Sequence, residues 1–433
     1  MAPSSTIAEI TSSDLEALHP SAAAKITNVK HLASYSWIEA GQPTIAVPGS
    51  PALWTAPQGP RKVKKDTGFY YIAQNAARHP DSPLEPLFRA LYVEHPSFDI
   101  RSVDIVTDRN NMRKLLAFVN PRMNRYAKES FTIRVEVNKT TVVFCRTETD
   151  TTQVILPWEF RGYGNEFEKA YTTEQITGGT GHHRIISYQF GGLNFIVRYK
   201  TEGYVADANH LQSASKPASN KATAMKSDDL SGLMESLSLS QPDGPSADAA
   251  FAKPTHATTA TPTKLTIQLQ GQAVPPDSLI EIKTRVAHKR LAIHDVAPQL
   301  WIAQTPKLVR AYHDRGIFPK PQVEDVAADI TQWEDAQQSD LRKLAALVSR
   351  IVLVTRERGG HATIQYDRTK GHKLVIRSVD QDMMLPKDLY LKWGAVDGPG
   401  KEKTPDQKDA PLDAFKDASS VPKEKPVVIK NVR

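Results

Sequence analysis

The stretch Leu279–Arg285, which reads Leu-Ile-Glu-Ile-Lys-Thr-Arg, is the strongest constraint on how this chain folds. Its apolar and charged residues alternate. In a strand, residues two apart share a face. Ile280 and Ile282 are therefore expected to enter a core, with Glu281 and Lys283 projecting together from the other side. A carboxylate and an ammonium so placed form either an edge-strand ion pair or a compact place for a divalent metal and an attacking water.

The surrounding pattern gives a mixed α and β class. Phe131–Val137 and Thr141–Arg146 alternate around Asn138-Lys139. Arg184–Phe190 and Leu193–Tyr199 alternate around Gly191-Gly192, a strong hairpin signal. Further strands are expected at Phe69–Gln74, Ser102–Thr107, Leu265–Leu269, Leu308–Tyr312, Ile351–Thr355, Ala362–Tyr366 and Leu374–Arg377. Helical patterns fall on Leu84–Tyr92, on the run through Leu115 to Val119, on residues 288–306 and on most of 325–347.

Residues 1–60 are rich in Ser and Ala and then in Pro, and read as an extended or disordered arm pinned by Trp37 and Trp54. Residues 206–263 are dominated by Ser, Ala, Thr, Lys, Asp and Pro and read as a disordered insertion. The basic tail, 396–433, reads likewise. Residues 61–205 and 264–395 are left as one domain. No stretch offers 18 uninterrupted apolar residues, so a membrane span is not expected. Cys145 is the lone cysteine, which excludes an intrachain disulfide and a cysteine-built zinc site and suits a reducing compartment, nuclear or cytoplasmic. The net charge of +7 fits a polyanionic partner. The adjacent His182 and His183 would face opposite ways in a strand and read as structural.

Acids recur at element ends in a fixed order. Glu168 lies in a helix after a Gly-rich approach, Glu202 follows a strand, Glu281-Ile282-Lys283 is the next ordered strand, and Gln304 lies on the helix after that. This order resembles the wiring of the PD-(D/E)XK nuclease core, a central mixed sheet flanked by helices, here with an additional antiparallel sheet. More closely, the chain resembles a divergent, fungal-type member of the DXO/RAI family of decapping exonucleases. The similarity rests on Val106 to Leu116 with Arg109, on Gly164-Asn165-Glu166-Phe167-Glu168, on Lys200-Thr201-Glu202, on Glu281-Ile282-Lys283-Thr284, and on Trp301-Ile302-Ala303-Gln304-Thr305, which carries one extra residue.

The resemblance implies metal-dependent hydrolysis at RNA 5′ ends, whether decapping, pyrophosphohydrolysis or 5′→3′ exonuclease action. Glu168, Glu202 and Glu281 would hold Mg²⁺ or Mn²⁺, hard cations that prefer oxygen ligands. Lys283 and Gln304, with Glu281, would serve the attacking water and the scissile phosphate, and Arg109 would contact the RNA. A 5′→3′ exoribonuclease is an implied partner, and a nuclear location is favoured. Lys200 departs from the pattern, because it stands where the family has a glutamate ligand. Unit charges about 4 Å apart repel by several kcal/mol at an effective dielectric near 20. The alternatives are therefore an impaired relative that binds RNA ends or a nuclease partner, and a DNA nuclease on the same core.

Overall fold

The computed structural model describes residues 5–17, 24–122, 129–206 and 263–394. Most of the strands form one eleven-stranded sheet among these residues. Its order is Thr6–Thr11, Lys373–Ser378, His361–Tyr366, Phe131–Asn138, Thr141–Thr147, Ile105–Asp108, Leu193–Thr201, Gly179–Phe190, Thr27–Ile38, Thr44–Gly49 and Thr266–Gly271. Ile105–Asp108 runs parallel to both its neighbours, as does Thr44–Gly49 to Thr266–Gly271; the other pairs are antiparallel. The sheet is thus mixed and the class α plus β, as the pattern predicts.

Helices cover both faces. Arg109–Val119, Ala297–Ala303 and Gln338–Arg358 pack on one side around Leu115, Ile133, Trp301 and Ile351. Glu85–Glu94 packs on the other around Trp37, Phe88, Val106 and Trp393. No helix among the described residues is long and apolar enough to cross a membrane.

A second, six-stranded sheet runs Thr172–Thr173, Leu53–Trp54, Gly203–Tyr204, Leu279–Val286, Lys307–His313 and Val323–Asp325. The chain crosses between the two sheets several times, and one of these crossings is a tight bend at Glu202. Leu193–Thr201 ends in the large sheet, Glu202 turns, and Gly203 pairs with Ile280 in the small one. Glu202 is thereby carried to the side of Glu281.

Two expectations need correction. The 1–60 segment is not an arm: Thr27–Ile38 and Thr44–Gly49 are inner strands of the large sheet, and Tyr35, Trp37 and Ile45 are fully buried. Their Pro and Ser content masked a strand pattern whose pairing partner, Gly179–Phe190, lies far along the chain. The Ile351–Thr355 run is not a strand, but lies within helix Gln338–Arg358. Its β-branched residues complete a buried stripe with Leu341, Leu344, Leu347 and Val348, so tertiary packing overrides local propensity. The expected insertion and tail lie almost wholly outside the described residues.

The predicted Gly191-Gly192 hairpin forms, with φ of 58° and 80° at the two glycines. Two positive φ values in a two-residue loop match the handed twist of the strands. A Cβ on Gly191 would sit 2.6 Å from the Cβ of Ala345, whereas one on Gly192 meets open space. Gly191→Ala should therefore destabilise the fold by about 1–3 kcal/mol beyond Gly192→Ala, through overpacking against the long helix. Equal urea midpoints for the two variants would show that the close approach of Gly191 to Ala345 costs nothing.

Candidate functional site

The site begins with the alternation of Leu279–Val286. Ile280 and Ile282 are buried with Phe167, Val309 and Phe318, which leaves Glu281 and Lys283 on the opposite face. Lys283 Nζ donates to Glu281 Oε1 at 2.6 Å and to Glu202 Oε1 at 3.3 Å. The other oxygen of Glu202 accepts the backbone N–H of Ile282. Arg109 Nη1 donates to Glu281 Oε2 at 3.0 Å, and Gln299 Nε2 to Glu281 Oε1 at 3.1 Å. Glu281 is almost wholly buried, so its charge has to be met by these donors.

Arg109 is positioned from behind. It opens helix Arg109–Val119, directly after Asp108, which clamps the buried Arg198 at 2.7 and 3.0 Å. Arg198 also donates to Pro83 O at 2.7 Å and to Tyr35 Oη at 3.2 Å. The Arg109 guanidinium lies 5.7 Å from the Tyr199 ring centroid.

Glu168 comes from helix Gly164–Tyr171. Phe167 and Tyr171 anchor that helix, their rings stacked at 3.9 Å, and Asp66 accepts the backbone N–H of Glu166 in the first turn at 2.9 Å. Lys200 Nζ donates to Glu168 Oε1 at 3.1 Å. Each of the three carboxylates expected as metal ligands is thus held by a cation of the chain itself: Glu168 by Lys200, Glu202 by Lys283, and Glu281 by Lys283 and Arg109.

The electrostatics follow from this arrangement. Burial alone would raise the Glu281 carboxyl, but Lys283 and Arg109 outweigh it and hold the pKa down at about 2. Burial, reinforced by the Glu281 charge, pushes Glu202 up to about 7 against the pull of Lys283. Lys200 is shifted upward, chiefly by Glu168, and Lys283 is shifted upward because Glu202 and Glu281 overcome its burial.

These residues do not fit a divalent metal. Among the described residues, no three His, Cys, Asp or Glu side chains gather to hold a cation. The expected trio of Glu168, Glu202 and Glu281 is brought into one neighbourhood but not into one ligand set. A hard cation requires several oxygens converging on it. Here the ammonium groups of Lys200 and Lys283 lie against those oxygens.

Gln304 is also displaced from its expected role. It ends helix Ala297–Ala303 in the left-handed region, φ 52°, and its amide returns to Trp301 O at 2.5 Å. Gln299 in the first turn of that helix reaches Glu281 instead.

A cleft of about 780 Å³ adjoins this site, with Arg109, Glu168, Lys200 and Gln299 among its lining residues. Its walls carry Arg109, Arg113, Arg146, Lys169, Arg198 and Lys200 against Glu39, Asp108, Glu168 and Glu174, and Phe69, Tyr70 and Tyr71 close one side. Arg146 and Lys114 share the single carboxylate of Glu148, at 2.7 and 2.8 Å, which leaves that wall with surplus positive charge. Neither Arg113 nor Arg146 stood out in the sequence.

The architecture is that of the Rai1-type proteins. Rai1 from S. pombe superposes with a TM-score of 0.51 at 12% identity, covering 86% of this chain and 99% of that one. Rai1 from Scheffersomyces stipitis, solved in complex with (3′-NADP)⁺ and calcium ion, gives 0.52 at 10% identity, covering 91% and 99%. S. pombe Rai1 in complex with 3′-FADP gives 0.51 at 12%, covering 86% and 99%. At such identities the likeness establishes the fold, and the DXO/RAI resemblance read from the motifs holds at that level. The chain belongs to the family described as domain of unknown function DUF8563, which matches residues 10–393. No curated protein matches it.

Proposed function

We propose that this chain binds phosphorylated RNA 5′ ends in the cleft lined by Arg109, Glu168 and Lys200, and that the carboxylates beside it are neutralised by lysine and arginine in place of a metal ion. The observation that carries this reading is the contact of Lys200 Nζ with Glu168 Oε1 at 3.1 Å, at the motif position of a glutamate ligand. The S. stipitis Rai1 structure contains calcium. In this chain the Lys200 ammonium supplies positive charge to Glu168. The positive charge left where Arg146 and Lys114 share Glu148 suits phosphate oxygens, which arginine engages by paired hydrogen bonds.

A metal-dependent RNA hydrolase, using Mg²⁺ or Mn²⁺, remains the second reading. One observation favours it: Glu202 and Glu281 converge on Lys283, as a Glu-x-Lys hydrolytic site requires. Titration of the full-length protein with a 5′-triphosphate RNA oligomer, with Mn²⁺ or with EDTA, separates the two. Binding that is indifferent to Mn²⁺ and EDTA, with no pyrophosphate or nucleotide released, is expected. Calorimetric uptake of Mn²⁺ together with product release, both lost in Glu281→Ala, would establish the hydrolase instead. A DNA oligomer of the same sequence in the same assay tests the remaining alternative, a DNA nuclease.

A further inference from the structure

We infer that the outer face of the small ribbon beside the cleft is a stacking platform for single-stranded RNA, one that carries the strand away from its bound 5′ end. The ribbon pairs Gly68–Tyr71 with Thr152–Ile155, and Val154 lies directly opposite Phe69. Phe69 is 55% and Val154 60% exposed side by side on the ribbon, and the loop that follows it exposes Trp158 at 77% and Phe160 at 65%, more bare apolar surface than a lone exposed side chain makes. The face is continuous with the cleft, because Phe69, Tyr70, Tyr71 and Ile72 also form its wall.

The charge beside these rings selects the occupant. Lys64 and Lys65 precede the ribbon and make no ion pair among the described residues. Asp66, next in the chain, ties them to the aromatic loop: its N–H donates to Gly162 O at 2.9 Å, and its carboxylate accepts from Asn165 Nδ2 at 3.2 Å. The backbone of Lys64 and Lys65 is thus held within two residues of the contact with Gly162. Open aromatic faces with adjacent cations are what a single strand needs, because bases stack without sequence preference while phosphates meet the charges. The core of a protein–protein contact is instead depleted of lysine.

This proposal deepens the RNA reading of the cleft, and the test keeps the two apart. Fluorescence anisotropy on the full-length protein would use three probes: uridine 5′-triphosphate, a 5′-triphosphate uridine 12-mer and a 5′-hydroxyl uridine 12-mer. The 5′-triphosphate 12-mer should bind at least about tenfold more tightly than the mononucleotide. Trp158→Ala/Phe160→Ala should lose that gain, and most binding of the 5′-hydroxyl 12-mer, while its affinity for the mononucleotide and its thermal midpoint stay as in the wild type. Lys64→Gln/Lys65→Gln should lower the salt dependence of 12-mer binding. A double aromatic variant that binds both 12-mers like the wild type overturns the platform. So does a wild-type protein that self-associates in light scattering while the aromatic variant is monomeric, which would assign the face to a protein contact. If the mononucleotide fails to bind and the 5′-hydroxyl 12-mer still does, the cleft reading fails and the platform stands.

Discussion

Lys200→Glu should give this protein a divalent-cation site. The substitution removes an ammonium from Glu168 and places a fourth carboxylate beside Glu168, Glu202 and Glu281. Replacing a positive by a negative charge about 4 Å from a bound dication changes its interaction by several kcal/mol even at an effective dielectric near 20. At 1.4 kcal/mol per decade, Mn²⁺ affinity should rise by about a thousandfold or more. Isothermal calorimetry on the full-length protein reads this directly. Lys200→Gln should fall between the wild type and Lys200→Glu, and adding Glu281→Ala to Lys200→Glu should abolish the gain. The fold should tolerate the change, because the lost Lys200–Glu168 pair is partly exposed and pairs of that kind contribute about 0–1 kcal/mol. A Lys200→Glu protein that binds Mn²⁺ no better than the wild type would mean that the three carboxylates are too far apart, or too firmly held by Lys283 and Arg109, to act as ligands.

That experiment turns on a residue whose oddity was legible in the sequence, and the reason is instructive. The Glu281-x-Lys283 strand and the Gly191-Gly192 hairpin are local: alternation fixes which side chains share a face, and two glycines fix the turn. Lys200 was visible only through the family resemblance, which implies a glutamate at that position. What local pattern could not supply was partnership across the chain. The inner strands Thr27–Ile38 and Thr44–Gly49 are strands because Gly179–Phe190 and Thr266–Gly271 pair with them. Helix Gln338–Arg358 is a helix because the sheet accepts its apolar stripe, although five residues within it favour a strand. Gln299 rather than Gln304 meets Glu281 because helix Ala297–Ala303 ends one residue before Gln304, which then turns left-handed. The mutual neutralisation of Glu168, Glu202 and Glu281 by Lys200, Lys283 and Arg109 is likewise a product of the bend at Glu202, where two sheets meet.

The second large effect concerns what holds Arg109 in that arrangement. Asp108→Ala should destabilise the fold by about 3–5 kcal/mol, because it leaves the Arg198 guanidinium buried without its carboxylate. Burial alone would lower the pKa of Arg198, and Asp108 more than reverses this, which identifies the carboxylate as the main compensation for that charge. The pair also links stability to the site. Asp108 is the residue before Arg109, at the start of its helix, so losing the clamp on Arg198 loosens the backbone that aims the Arg109 guanidinium at Glu281. Urea unfolding should therefore show a large loss of stability in Asp108→Ala, and the folded fraction should bind 5′-triphosphate RNA more weakly than the wild type. Asp108→Ala/Arg198→Met separates the two consequences. Removing both charges together should recover most of the lost stability, since a buried pair replaced by apolar volume is often neutral or better. Binding should recover only in part, because Arg109 still lacks the clamp behind it. If the double variant is as unstable as Asp108→Ala, the cost lies in the shape of the site and not in the uncompensated charge of Arg198.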